Sequence, residues 1–318
     1  MRWTGRLLAM GLILVGLSAC VAPDIPYAEL EERYASPASS YLETDEGLRI
    51  HYRDEGPREA ATTIVLVHGF AASLHAWEPW VARLSPDYRM VSLDLPGHGL
   101  TRAPEDYQIT PASQVAVVDA VADHLGLERF VIVGNSMGGA VAWRYALAHP
   151  DKVRGLVLVN AAGWPEAQEA ESGPPLVFRL LANPVGRTLL RNLDPRPLAK
   201  GGLVQAYEDE SLVTPELVDR YVALARAPGH RALLTGRRGG AGETVTPETF
   251  AAISVPTLVM VGEKDQVIPA ARSAGFAQTI PDARKIVYAD GGHVPMEQLP
   301  DRSAQDLRAF LQDLPPAP

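Results

Sequence analysis

A serine held between two glycines, Gly134-Asn135-Ser136-Met137-Gly138, constrains this chain more than any other feature. Before it, Phe130–Val133 reads as a short buried strand. After it, Met137–Ala148 reads as a helix that ends ahead of Pro150. Only Gly134, Asn135 and Ser136 lie between them, so the chain must turn abruptly from strand into helix with the serine at the turn. A side chain at Gly134 or Gly138 would crowd so abrupt a turn. The turn leaves the Ser136 hydroxyl standing at the open end of a sheet.

The surrounding pattern fits such a sheet. Arg49–Arg53, Thr63–Val67, Met90–Leu95, Val153–Val159, Thr257–Val261 and Ile286–Tyr288 read as strands. Thr110–Leu125 and Ala304–Leu311 read as helices. Apolar strands alternating with helices predict an α/β fold with a mostly parallel sheet covered on both faces. The alternation stops between 164 and 249. There, only helix-like pieces (Leu176–Leu181, Thr188–Asn192, Pro215–Ala225) and connections such as Gly236–Gly242 are found. The expected organisation is a core of residues 41–163 and 250–318, interrupted by a helical insertion over 164–249. With 47% hydrophobic and 21% charged residues, the chain has ample material for one large core.

Further motifs fall after predicted strands. His68-Gly69-Phe70 closes one. The backbone N–H of Phe70, with that of Met137, is a candidate pair of donors to a developing oxyanion. His293, in Gly291-Gly292-His293-Val294-Pro295, is the candidate general base and acid. Asp265, in the loop beyond Thr257–Val261, is the candidate partner that orients it, with Glu263 and Asp290 as rivals. The chain order Ser…Asp…His is the one this strand–serine–helix arrangement uses.

Taken with Asp94-Leu95-Pro96-Gly97-His98-Gly99 and Gly139, these segments resemble the α/β-hydrolase superfamily over roughly residues 48–163 and 250–313. The resemblance implies that Ser136 is a nucleophile, that Gly134 and Gly138 shape its elbow, and that 164–249 is a helical cap over the site. It implies structural roles for His68, Asp94 and His98. Serine at 136 separates the chain from haloalkane dehalogenases and epoxide hydrolases, which carry Asp there. Gly-Asn-Ser-Met-Gly-Gly is similar to C–C hydrolases of meta-cleavage products. Those usually carry Trp after the histidine, where this chain has Val294. Ester hydrolysis through an acyl-enzyme is the expectation, with C–C hydrolysis and a non-catalytic binding module as alternatives. Trp77, Trp80 and Trp164 read as packing residues or an apolar pocket. Arg179, Arg187 and Arg191 read as a solvated or membrane-facing surface, or as carboxylate binders.

The net charge of −9 and the lack of a basic run argue against nucleic-acid binding. No cofactor motif or metal cluster is evident, so a small-molecule ester or acyl substrate and no cofactor are expected. The lone cysteine, Cys20, excludes an internal disulfide. It follows Arg2, Arg6, the apolar run Leu7–Leu17 and Leu17-Ser18-Ala19, the pattern of an export signal too short to read first as a membrane span. Leu-Ser-Ala-Cys resembles the bacterial lipobox. It implies a signal peptide over 1–19, a lipid on Cys20 and a bilayer as partner. Residues 20–40 are then expected to be a tether. Val21 agrees with an envelope lipoprotein at the outer membrane or periplasmic face.

Overall fold

The computed structural model describes residues 22–165, 176–236 and 244–315. Eight strands, β1 (Ser39–Glu43), β2 (Arg49–Glu55), β3 (Thr63–Val67), β4 (Arg89–Leu93), β5 (Phe130–Asn135), β6 (Val153–Val159), β7 (Thr257–Gly262) and β8 (Ala283–Tyr288), form one sheet. Their order is β1-β2-β4-β3-β5-β6-β7-β8. Pairings from β4 to β8 are parallel, while β1–β2 and β2–β4 are antiparallel.

Side chains that alternate along each strand sort themselves into two cores. Val65, Val67, Phe130 and Ile132 enter one. Its cover is α3 (Pro111–His124) and α4 (Met137–Ala148), with Phe250 and Phe276 further along the chain. Ile64, Leu66, Val131 and Val133 enter the other, beneath Trp77, Trp80, Leu307 and Phe310. Both faces of β3 and β5 are therefore dry, which is why their sequences are continuous apolar runs. Each such side chain contributes about 1.5–3 kcal/mol on burial. Helix α3 begins where Thr110 and Ser113 form a reciprocal cap with Pro111 at the first turn.

Two further helices precede α3, namely α1 (Tyr27–Tyr34) and α2 (Glu78–Leu84). Between β6 and β7 lie α5 (Leu176–Leu181), α6 (Pro184–Asn192), α7 (Arg196–Tyr207), α8 (Pro215–Ala225), α9 (His230–Thr235) and α10 (Pro247–Ala251). Helix α11 (Ala270–Thr279) follows β7; α12 (Pro295–Gln298) and α13 (Pro300–Gln312) follow β8. No strand interrupts the described part of the insertion, as its sequence predicts. Helix α7 is not evident from sequence, because Pro197, Gly201 and Gly202 dilute its helical signal.

The expected tether is corrected in part. From Ala22 onward it is folded against the domain, because Leu30 is fully buried among Leu100, Ala223, Leu224 and Ala227. Ala22 N–H donates to Asn192 O at 3.1 Å, Ile25 N–H to Arg226 O at 2.8 Å, and Arg231 to Ala22 O and Asp24. Ser39 and Ser40, the last residues of that stretch, already belong to edge strand β1. The leader 1–19, Cys20 and Val21 lie outside the described residues, as does most of Gly236–Gly242. Among the described residues, no helix is long and apolar enough to cross a membrane.

Candidate active site

Ser136 joins β5 to α4 with φ 54° and ψ −119°, in the left-handed half of backbone space. Holding a non-glycine residue there costs on the order of 1–3 kcal/mol, which the surrounding packing must offset. The glycines make the turn feasible. A Cβ on Gly134 would come within 2.1 Å of Gly138 O, and one on Gly138 within 2.1 Å of Val67 O. Both positions therefore tolerate hydrogen only, as their place in the motif predicts.

His293 lies in the loop after β8, and its Nδ1 is 2.7 Å from Asp265 Oδ2. The other carboxylate oxygen of Asp265 accepts from Val267 N–H at 2.7 Å and Ile268 N–H at 2.8 Å. Those bonds fix the carboxylate before histidine is considered. The rivals are excluded by geometry: Asp290 pairs with Arg302 at 2.7 Å on the surface, and Glu263 is exposed. With Asp265 accepting, Nδ1 carries the proton and Nε2 is left for chemistry.

Ser136 and His293 line one cavity of about 230 Å³. Its wall also includes Gly69, Phe70, Val177, Phe178, Leu181, Leu190, Leu203, Tyr207 and Val267, and is overwhelmingly apolar. Cap helices α5, α6 and α7 thus close over the serine. Trp77 and Trp80 are not part of this wall. Both are fully buried, and Trp80 Nε1 donates to Ser303 Oγ at 2.8 Å. Trp164 stacks on Phe250, so the packing reading holds for all three tryptophans. Arg179, Arg187 and Arg191 do not line the cavity either; Arg191 donates to Thr235 Oγ1 at 2.6 Å.

The two candidate oxyanion donors are held differently. Met137 opens α4, where the first N–H groups lack partners within the helix. Phe70 N–H shares a peptide with Gly69 C=O, and the chain has no cis peptides among its described residues. His68 Nδ1–H donates to that carbonyl at 2.7 Å, while its Nε2 accepts from Leu95 N–H at 3.1 Å. The trans peptide therefore turns the Phe70 N–H away from His68. Burial pushes the His68 pKa down, keeping the neutral form this arrangement requires. His68 is thus structural, as expected, and its bond to Gly69 O fixes the peptide that carries the candidate donor at Phe70.

Other supports carry no motif. Asn135 Nδ2 donates to His293 O at 3.0 Å and to Val159 O at 3.1 Å. Asn160, fully buried, donates to Gly292 O and accepts from Gly262 N–H, both at 2.9 Å. These amides bind the ends of β5, β6 and β7 to the histidine loop. The C-terminus of α7 adds the cap: His293 N–H donates to Ala206 O at 2.7 Å, Gln205 Nε2 to Gln266 O at 3.0 Å, and Gln298 bridges Tyr207 O and Gly292 N–H. Three consecutive cap residues therefore hold the acid and histidine loops. Polar residues at strand ends are the only trace of this in sequence. Glu297 stands behind the cavity wall near Tyr207; burial pushes its carboxyl up to about 7, against the pull of Tyr207 and Arg220.

A second array has the same order. Asp94 Oδ2 lies 2.7 Å from His51 Nδ1, and His51 Nε2 lies 2.8 Å from Ser39 Oγ. Asp94 also accepts from Leu74 N–H at 2.8 Å and Leu100 N–H at 2.9 Å, the turn-holding role its motif implies. None of these three residues borders the cavity.

Comparison with known proteins agrees with this architecture. Residues 62–299 match the family model described as the alpha/beta hydrolase fold. The chain is 31% identical over 297 residues to the dihydrolipoyllysine-residue acetyltransferase component of the acetoin cleaving system of Cupriavidus necator, covering 92% of this chain and 72% of that one. It is 33% identical over 265 residues to pimeloyl-[acyl-carrier protein] methyl ester esterase of Stenotrophomonas maltophilia, covering 80% and 94%. It is 27% identical over 277 residues to 2-hydroxy-6-oxo-6-phenylhexa-2,4-dienoate hydrolase of Comamonas testosteroni, covering 83% and 92%. With its sheet order, serine elbow and inserted cap, the chain belongs to the α/β-hydrolase family.

Proposed function

We propose that this protein is a serine hydrolase of carboxylic esters, with Ser136 as nucleophile, His293 as base and acid, and Asp265 as the orienting carboxylate. The observation that carries the reading is the 2.7 Å bond from His293 Nδ1 to Asp265, with His293 and Ser136 on one apolar cavity. His293 Nε2 takes the Ser136 proton as Oγ bonds to the acyl carbon. The oxyanion is held by the N–H groups of Phe70 and Met137, each worth about 3 kcal/mol of barrier. As the C–O bond breaks, the alcohol leaves with the proton from His293. Water then gives a proton to His293, adds its oxygen to the acyl carbon and frees the acid and Ser136.

The esterase relative favours this reaction. The C–C hydrolase relative supports a second reading with the same residues, and Val294 beside His293 is the residue that weighs against it. The proposal includes export and a lipid on Cys20, based on the leader sequence. The test is hydrolysis of a p-nitrophenyl ester series by the full chain. Activity that vanishes in Ser136→Ala, with fluorophosphonate labelling of Ser136, is the expected result. Labelling without turnover of any ester favours C–C substrates. Absence of both sinks the assignment of the site.

A further inference from the structure

Exposed apolar side chains are concentrated in one place. Among the described residues, six large hydrophobic side chains stand exposed, and four of them belong to α5 and α6: Leu176, Phe178, Val185 and Leu189. Val185 is 71% exposed and Leu189, one turn on, 43%. A surface helix that turns Val and Leu outward is not explained by the domain's own packing.

The charge of this hairpin is also out of character. Residues 176–193 contain Arg179, Arg187 and Arg191 and no acid, in a chain of net charge −9. Apolar residues interspersed with arginines suit the boundary between acyl chains and anionic headgroups. A protein partner of acidic character would satisfy the arginines and leave Val185 and Leu189 unexplained.

The path of the chain specifies the same surface. Ala22, the first described residue, is bonded through its N–H to Asn192 O, the last residue of α6, and through its carbonyl to Arg231. Cys20 is two residues upstream, within about 7 Å even of fully extended chain. Whatever membrane attachment the leader provides, by lipid on Cys20 or by the apolar run Leu7–Leu17, ends at the edge of α6. Either attachment leaves at most five residues, about 17 Å of extended chain, between it and the folded domain, which keeps α6 beside the bilayer.

The hairpin also belongs to the wall of the cavity, through Val177, Phe178, Leu181 and Leu190. Phe178 lines the cavity and is 36% exposed, so it stands where the cavity meets the surface. One face of α5–α6 is turned to the serine and the other is apolar and open.

We propose that the outer face of α5–α6 lies in the interfacial layer of a bilayer, and that the cavity draws its substrate from that bilayer: the acyl ester of a membrane amphiphile. The second half rests on the ester-hydrolase reading above; the first half does not. Each turnover consumes one water and releases a fatty acid and the alcohol to which it was joined.

The test uses the full chain in vesicles of phosphatidylethanolamine and phosphatidylglycerol. An environment-sensitive fluorophore is placed at Val185→Cys, and in a separate protein at Glu128→Cys, an exposed site at the start of β5, the end of the sheet away from Ser136. Brominated acyl chains should quench the first label and spare the second. A water-like signal at 185 in vesicle-bound protein overturns the docking. The double variant Val185→Asp, Leu189→Asp, outside the cavity wall, should lose about tenfold in turnover of a long-chain ester carried in those vesicles. It should keep its rate on p-nitrophenyl acetate in solution. Equal rates on vesicle ester in variant and parent overturn the supply of substrate from the bilayer. Failure of the parent on every ester sinks the ester-hydrolase reading alone, since quenching at position 185 needs no catalysis.

Discussion

Two sets of serine, histidine and aspartate occur in this molecule, and the contacts of their aspartates are nearly identical. Asp94 and Asp265 each accept two backbone N–H groups, and each lies 2.7 Å from a histidine Nδ1. The difference is beyond the histidine. Ser39 sits on edge strand β1, its Oγ accepting Ser36 N–H at 3.0 Å, and His51 is fully buried. Ser136 stands on a strained elbow over a cavity, at the head of α4 and beside Phe70. A hydrogen-bonded triad is thus also a way of fastening an edge strand to a turn. What suits one to chemistry is room for a substrate and donors for the charge it develops.

The largest expected effect separates the serines. Ser136→Ala should lower kcat by roughly 10⁴–10⁶-fold. Ser39→Ala should leave kcat unchanged and cost about 2 kcal/mol of stability, the worth of its two hydrogen bonds to His51 and Ser36. Steady-state kinetics and thermal melts on both variants decide the matter. Activity lost in Ser39→Ala at unchanged stability would abolish the distinction.

The aspartates should divide along the same line. Asp265→Asn should reduce kcat about 10⁴-fold by favouring the wrong histidine tautomer, a loss of rate far beyond what its weakened holds on Val267 and Ile268 cost in stability. Asp94→Asn should instead destabilise the fold by about 3 kcal/mol, since it weakens the contact with His51 and the holds on Leu74 and Leu100. Against the upward push of burial, the hydrogen bond from His51 holds the Asp94 carboxyl well below the usual range. A carboxylate with a lowered folded pKa stabilises above its unfolded pKa, near 3.8, and loses that contribution as pH falls further. Parent and Asp94→Asn should therefore differ most at neutral pH and converge in acid, which melts across a pH series would register.

How much of this was open to sequence reading follows from where the information is stored. Local geometry is written locally: the Gly134 and Gly138 contacts that permit the elbow lie within five consecutive residues, and β3 and β5 announce themselves because both faces are buried. Ser136, His293 and Asp265 could be named from motifs and chain order, and the fold brings His293 to Asp265 and to the cavity of Ser136. The supports could not be named. Asn135, Asn160 and Gln298 act across 158, 102 and 91 positions of sequence, and nothing in a single chain couples residues so far apart. The Ser39–His51–Asp94 array was hidden for the same reason. Residues 22–38 were misread because α1 is short and polar, and Leu30 alone carries its buried face.

A third carboxylate sharpens the contrast with the smallest expected effect. Asp94 and Asp265 are buried where backbone N–H groups meet their carboxylates. Glu297 is pressed against Tyr207 on the cavity side of the core, its Oε1 has no hydrogen-bond partner, and burial lifts its pKa to about 7. A carboxyl with a raised folded pKa does no harm below its unfolded value, near 4.5. It costs stability as pH rises, up to its folded value, because the unfolded chain releases the proton first. Glu297→Gln cannot ionise, so it should match the parent at pH 4 and exceed it by about 2 kcal/mol at pH 8. Denaturant unfolding at the two pH values measures this difference. If Glu297→Gln were instead less stable than the parent at pH 8, Glu297 would be a paired anion like Asp94. The separation between carboxylates that backbone donors receive and one that burial protonates would then be lost.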